Sequence, residues 1–238
     1  MKKVLLLTVL LFYPIFSGIS ADKKIKGNGY ITTEQRSVSS FCNIKISGTL
    51  NVYLSQGDKE SVEVEIDSNL KQYVLVTQNG ETLVIDTKNR KDFKATKCNV
   101  YITLKDIKKL DISNVGDVLT QTLSKDDKIK LNTSSVGSIS LELNCHEIDV
   151  KLSGVGPVEL HGETSELVLQ KSGLGKLKAK ELHAKTVKVK NSGLGSMSIY
   201  ASQELIIANS GLGSITYSGN ANITTINSSG LGKISKEE

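Results

Sequence analysis

A six-residue phrase recurs seven times in the second half of this chain: SNVGDV at 113–118, SSVGSI at 134–139, SGVGPV at 153–158, SGLGKL at 172–177, SGLGSM at 192–197, SGLGSI at 210–215 and SGLGKI at 229–234. Superimposed, the phrases share a column that is always glycine: Gly116, Gly137, Gly156, Gly175, Gly195, Gly213 and Gly232. Subtraction gives intervals of 21, 19, 19, 20, 18 and 19 residues. A unit that short cannot enclose a core by itself, so each repeat must be one coil of a solenoid that hides its apolar side against its neighbours.

The remaining columns give further expectations. Two positions before the glycine stand Asn114, Ser135, Gly154, Gly173, Gly193, Gly211 and Gly230. Glycine and asparagine tolerate positive φ, which predicts a left-handed corner there, with Ser135 a departure. Between the two glycines lie Val115, Val136, Val155, Leu174, Leu194, Leu212 and Leu231; two residues after the second come Val118, Ile139, Val158, Leu177, Met197, Ile215 and Ile234. Both columns are apolar, and both are expected inside, at about 1.5–3 kcal/mol per buried aliphatic side chain. In one coil Leu177 and Ala179 alternate with Lys176, Lys178 and Lys180, and Val187 and Val189 with Lys188 and Lys190. That period of two predicts strands with one wet face. No three-four helical pattern follows the first twenty residues, so the crossover helices of an α/β sheet are missing. The expected fold is all-β: a single parallel β-helix with coils of about 19 residues, right-handed by the usual crossover preference.

Composition fits one such domain. Of 238 residues, 38% are hydrophobic and 23% charged, which supplies a core and excludes a disordered chain. Lys2 and Lys3, the apolar run Val4–Phe16 and the small residues Ser17, Gly18, Ser20 and Ala21 have the layout of a secretory signal peptide, expected to occupy residues 1–21. Its removal takes two lysines and lowers the formal charge from +5 to +3, too little to argue for nucleic acid or a membrane. No cysteine stands at the expected cleavage point, so lipoprotein acylation is not expected there; the protein is expected in the periplasm, on the outer surface or outside the cell. The remaining 22–238 read as one domain, with irregular coils over 22–105 and regular repeats over 106–234.

Export makes disulfides possible for Cys42, Cys98 and Cys145, and an odd count leaves one thiol unpaired. Parity puts Cys42 with Ile44 and Ile46, Cys98 with Val100 and Ile102, and Cys145 with Leu141 and Leu143, which predicts core thiols; a Cys42–Cys98 bridge is the alternative. Further strands are predicted at 42–47, 50–55, 61–66, 73–77 and 82–87, the last two joined as a hairpin through Gln78-Asn79-Gly80-Glu81. SGTLNVYL at 47–54 resembles the repeat phrase with Leu50 in place of the second glycine. Lys88–Lys97 is charged and glycine-free and is expected to be a solvated loop.

A GNG start, FCNIKISGTLNVYLSQG at 41–57, IDSNL at 66–70, NGETLVI at 79–85 and the serial Ser-Gly-Leu-Gly phrases together resemble the auto-transporter adhesin head GIN domain family of exported bacterial proteins, over nearly all of residues 27–234. The resemblance implies a parallel β-helix and a surface or adhesin-like role; it brings no catalytic residues.

Enzymes on β-helices that cut acidic polysaccharides need clustered carboxylates or carboxylates holding Ca²⁺. From residue 128 onward this chain has one aspartate, Asp149, and no arginine, and its glutamates are scattered. Glu142 with Glu159 and Glu163 with Glu166 are the pairs an enzyme would have to use; solvated strand-face residues is the plainer reading. His146, His161 and His183 lack zinc-ligand spacing. Neither a dinucleotide loop nor a calcium nonapeptide is present: no third glycine follows Gly173 and Gly175, and the required aspartate is found only at Asp117. No cofactor is expected. The best binding candidates are the lysines around one coil, namely Lys176, Lys178, Lys180, Lys188 and Lys190, together with Lys171 and Lys185, and the sugar-stacking rings Tyr200 and Tyr217. The expected function is that of a non-catalytic, adhesin-like binding scaffold of the cell envelope whose partner is an anionic glycan, lipopolysaccharide or a surface protein. The alternatives are a polysaccharide-active enzyme on the same frame and a purely structural envelope protein.

Overall fold

The computed structural model describes residues 25–87, 93–121 and 123–237. The expected signal peptide and residues 88–92 of the loop expected over 88–97 lie outside the described residues; in the remainder of that loop Phe93–Lys94 form a short strand. The chain forms a β-solenoid of about seven turns with a spacing near 19 residues, 66% of it strand. Seventeen strands make one continuous sheet, and a two-stranded parallel pair, Ile25–Lys26 with Phe93–Lys94, stands beside it.

The regular part is built from long bent strands: Leu123–Thr133, Ile139–Leu152, Val158–Lys171, Leu177–Asn191 and Met197–Asn209, followed by Ile215–Ser218, Asn222–Ser228 and Ile234–Lys236. The five long strands pair in parallel, each with the next; Met197–Asn209 then pairs in parallel with both Ile215–Ser218 and Asn222–Ser228, and Ile215–Ser218 with Ile234–Lys236. Ile139, Val158, Leu177, Met197, Ile215 and Ile234 follow one another in register, as do Ile148, Leu167, Val187, Leu205 and Ile223. Alternation along each strand sends these columns inward as far as Ile215 and Leu205, whereas on the last rung Ile234 is half-buried and Ile223 is 47% exposed; Leu177, Val187 and Leu205 have no solvent exposure.

The first coil, Asn43–Gly48 and Asn51–Gln56, joins the two parts. On one side it pairs in parallel with Lys109–Asn114 and Val118–Thr120, with Ser47 opposite Ser113 and Val52 opposite Val118, so SGTLNVYL does occupy the phrase position. On the other side it pairs with Thr82–Thr87 and Cys98–Leu104. Antiparallel strands close this end: Ile31–Arg36 on Ser61–Asp67, and the hairpin Val74–Asn79 with Thr82–Thr87, whose turn residues Gly80 and Glu81 sit between the paired Asn79 and Thr82. Asp67, fully buried, ties the lead-in down: its Oδ1 accepts from Gly29 N and its Oδ2 from Thr96 N, each at 2.7 Å. Burial works against its charge, but these N–H donors outweigh it and hold the carboxyl below its ordinary range.

Two expectations fail, for one geometric reason. None of Gly154, Gly173, Gly193, Gly211 and Gly230 has positive φ; among the glycines of that column only Gly48, in the first coil, does. The phrase bends over its central three residues without left-handed backbone, and glycine is needed because the rungs approach too closely for a side chain. A Cβ on Gly156, Gly175 or Gly213 would stand 2.1–2.2 Å from the carbonyl oxygen of the glycine one rung back. In the same bend Val115 to Leu231 point outward, not inward: Val115, Val155, Leu174 and Leu194 are 52–54% exposed and Leu231 is 88% exposed. The second apolar column is internal as expected, from Val118 through Ile215, with Ile234 half-buried on the last rung.

All three cysteines are free, so no Cys42–Cys98 bridge forms. Cys42 and Cys145 are buried, and Cys98 packs partly buried against the core. Burial, helped by nearby Asp67, pushes the Cys98 thiol up to about 12, which leaves it an inert packing group.

Candidate functional site

The phrase divides the surface into two lengthwise features. Its first residue forms a column of exposed or half-buried serines: Ser47, Ser113, Ser134, Ser153, Ser172, Ser192, Ser210 and Ser229. Backbone hydrogen bonds keep them aligned; Ser153 N donates to Thr133 O, Ser172 N to Leu152 O and Ser192 N to Lys171 O. On one side of this column lies a groove of about 1230 Å³. On the other stands the apolar ridge from Val115 to Leu231.

The groove runs along the junction between each long strand and the bend that follows its serine, and buried polar side chains hold the bend. Asn191 Oδ1 accepts from Gly193 N and Asn209 Oδ1 from Gly211 N, both at 3.2 Å, the two-residue reach of an Asx turn. Asn191 Nδ2 donates to Asn209 Oδ1 at 2.8 Å, so the two rungs are linked through the same groups. One rung earlier the position is Lys171, only 2% exposed. Its Nζ donates to Gly173 O at 3.1 Å and Gly195 O at 2.8 Å, and burial lowers its pKa.

The outer wall of the groove is the column Lys45, Asp111, Asn132, Lys151, Gln170, Lys190, Ala208 and Asn227. At its first rungs Asp111 accepts from Asn132 Nδ2 and Lys109 Nζ, each at 2.7 Å; burial opposes its charge, and these partners hold its pKa down. Further along, Lys151 and Lys190 are exposed and pair with no carboxylate among the described residues. They stand two rungs apart, about 9.6 Å at the ordinary strand spacing.

The lysines singled out from sequence do not form one patch. Lys176 belongs to the phrase and Lys178 and Lys180 follow it, whereas Lys188 and Lys190 precede the next one on a different side of the coil. Lys178 is ion-paired with Glu159, Lys188 with Glu166 at 2.6 Å, and Lys180 with Glu237 at 2.9 Å. Lys171, counted among the surface lysines, lies inside. Tyr200 sits at the corner opposite the phrase, its ring 4.7 Å from that of His183, beside a cleft of about 580 Å³ that also takes in Glu163 and Lys185. Sequence reasoning missed the groove, although the serine column was readable as the first letter of every phrase.

The carboxylates are placed poorly for acid–base work. Glu159 is held below its usual range by Lys178, the opposite of what a general acid needs. Glu166 is occupied by Lys188. No group of three His, Cys, Asp or Glu side chains converges among the described residues. No helix among them is long and apolar enough to cross a membrane, which says nothing about strands.

Comparison with known proteins agrees with the fold. A solved structure described as a putative adhesin from Bacteroides fragilis superposes with a TM-score of 0.85 at 25% identity, over 90% of this chain and 100% of that one. A structure named "putative lipid binding protein" from Parabacteroides distasonis superposes at 0.71 with 24% identity, over 91% and 100%. A putative adhesin from Parabacteroides merdae does so at 0.66 with 22% identity, over 90% and 99%. The last two, at lower identity, bear on the fold alone. Comparison with curated protein sequences gives no match. The profile of the family "Putative auto-transporter adhesin, head GIN domain" matches residues 40–221, most of the solenoid, and the chain belongs to that family.

Proposed function

We propose that this protein is an exported, non-catalytic adhesin-like scaffold that holds an extended anionic glycan along the serine-lined groove. The observation that carries the reading is the unpaired Lys151 and Lys190 on one wall of a continuous hydroxyl-lined channel. A polymer whose charges recur at about the two-rung interval of 9.6 Å meets both lysines at once while its hydroxyls face the serine column. Each contact is weak and screened by salt, so affinity comes from repetition along the chain. Family membership supports the adhesin-like role, and the neutralised Glu159 and Glu166 support a binding rather than a cleaving surface.

The test is a glycan array with wild-type protein and the Lys151→Ser/Lys190→Ser variant, each at low and moderate salt. Salt-sensitive retention of acidic polysaccharides that the variant loses supports the groove. Retention unchanged by the double substitution removes it, and new reducing or unsaturated ends during incubation would turn the reading to a polysaccharide-active enzyme.

A further inference from the structure

The ridge beside the serine column has no part in that groove and no cover from the described residues. Seven Val and Leu side chains, each more than half exposed, stand in one row from Val115 to Leu231. At the strand spacing the row is about 29 Å long. It offers roughly 600 Å² of contiguous apolar surface, the top of the range for the largest patch on an ordinary monomer. Elsewhere on the regular coils the exposed large aliphatic residues among the described residues are few, Leu119, Ile223 and Ile226; the row places one outside on every rung.

We propose that the ridge is a self-association surface on which two copies of this chain pack antiparallel about a two-fold axis perpendicular to the rod. Three observations select a second copy. The row repeats at the rung interval, and a surface with the same interval is another stacked β ladder, which an identical rod supplies without further design. The column on one flank is serine throughout, small enough to let two faces approach to the roughly 10 Å at which sheets pack. The column on the other flank reads Asp117, Ser138, Pro157, Lys176, Ser196, Ser214 and Lys233, acidic at its first rung and basic at its last. In the antiparallel arrangement like columns face each other in reversed order, so Asp117 meets Lys233 of the second copy at both ends of the contact. Only Lys176, on the axis, faces its own counterpart. With the rods parallel, the same charges would meet serines.

The ridge and the column from Asp117 to Lys233 make a contact smaller than the about 800 Å² per partner of a standard interface, which makes the dimer modest and reversible. The symmetry also leaves both grooves opening on the same side, one on each wall of a shared cleft. This arrangement does not depend on what the groove binds.

Sedimentation of the purified chain from low micromolar to high concentration tests the proposal. The expected result is a monomer–dimer equilibrium that Leu174→Lys/Leu194→Lys weakens roughly tenfold or more. Lys233→Asp weakens it several-fold by setting two acids together, and Lys176→Ser tightens it. All four positions are exposed, so thermal melts matching wild type keep loss of dimer distinct from loss of fold. A strict monomer at every concentration overturns the proposal, as does a dimer indifferent to the leucine substitutions. Indifference to Lys233→Asp overturns the antiparallel order. Monomeric protein that binds phosphatidylcholine vesicles through Leu174 and Leu194 would reassign the ridge to a lipid surface.

Discussion

The carbonyl oxygen of Gly173 lies 2.2 Å from the point where a Cβ on Gly193 would stand. Two adjacent rungs therefore touch backbone to backbone, and neither can withdraw without breaking the ladder on both sides. Gly193→Ala is expected to cost about 2–4 kcal/mol, as overpacking against immobile backbone does, and Gly193→Val more. Gly80, by contrast, has φ of 58° and nothing within 4 Å of its absent Cβ. Gly80→Ala carries only the left-handed penalty of about 1–2 kcal/mol. Urea unfolding of the two alanine variants compares them directly, and equal losses would refute close approach as the reason for glycine in the phrase.

Leu174 and Leu177 belong to the same phrase but to opposite faces. Leu177 is fully buried, and its replacement by alanine is expected to cost about 2–5 kcal/mol. Leu174→Ala should fall within about 0.5 kcal/mol of wild type in dilute protein, since it removes surface already in water. Melting curves at low concentration distinguish the two.

Lys171 is buried without a carboxylate partner, and its folded-state pKa is lowered by that burial. A lysine with a depressed pKa holds fewer protons folded than unfolded once pH passes its folded value, so stability rises from there toward the ordinary lysine range near 10.4. Lys171→Met removes this dependence. The stability of wild type relative to Lys171→Met should therefore increase as pH is raised toward the ordinary lysine value near 10.4, and a difference that stays flat or shrinks contradicts the assignment.

Asp67 titrates with the opposite consequence. Its carboxyl is held below the ordinary range by Gly29 N and Thr96 N once they outweigh burial, so its contribution is full above the unfolded value near 3.9 and is lost as pH falls through the folded one. Asp67→Asn is expected to cost about 1–3 kcal/mol at neutral pH, with the gap closing in acid. Denaturation midpoints measured from neutral pH down to about pH 3 would show this convergence, and a constant gap would argue for a packing effect.

The period of the phrase and the alternation around it were enough to place the coils in register, and the five strands expected before residue 88 are found within about two residues of their predicted limits. What stayed hidden lay inside the phrase. Leu174 and Leu177 are three positions apart, an odd number, so alternation alone sets them on opposite faces; their shared apolar character suggested otherwise. Glycine in a column has two physical causes, a left-handed bend and a close neighbour, and one sequence does not separate them. The lysines looked like a patch because they are near in sequence. Lys178 and Lys188 fall on different sides of the coil, and each meets a glutamate from the preceding rung. The groove depends on a bend fixed by Asn191 and Asn209 side chains, whose buried hydrogen bonds no periodicity reveals.

Coils of 18 to 21 residues all return to the same glycine positions, so a coil is a removable division of the rod. Deleting residues 174–193 would rejoin Gly173 to Leu194 and restore an intact SGLGSM. The molecule would be shorter by one step of about 4.8 Å, with an unaltered cross-section. Gain or loss of such steps changes reach without disturbing the fold, which makes the rod a graduated ruler whose length can be reset one mark at a time.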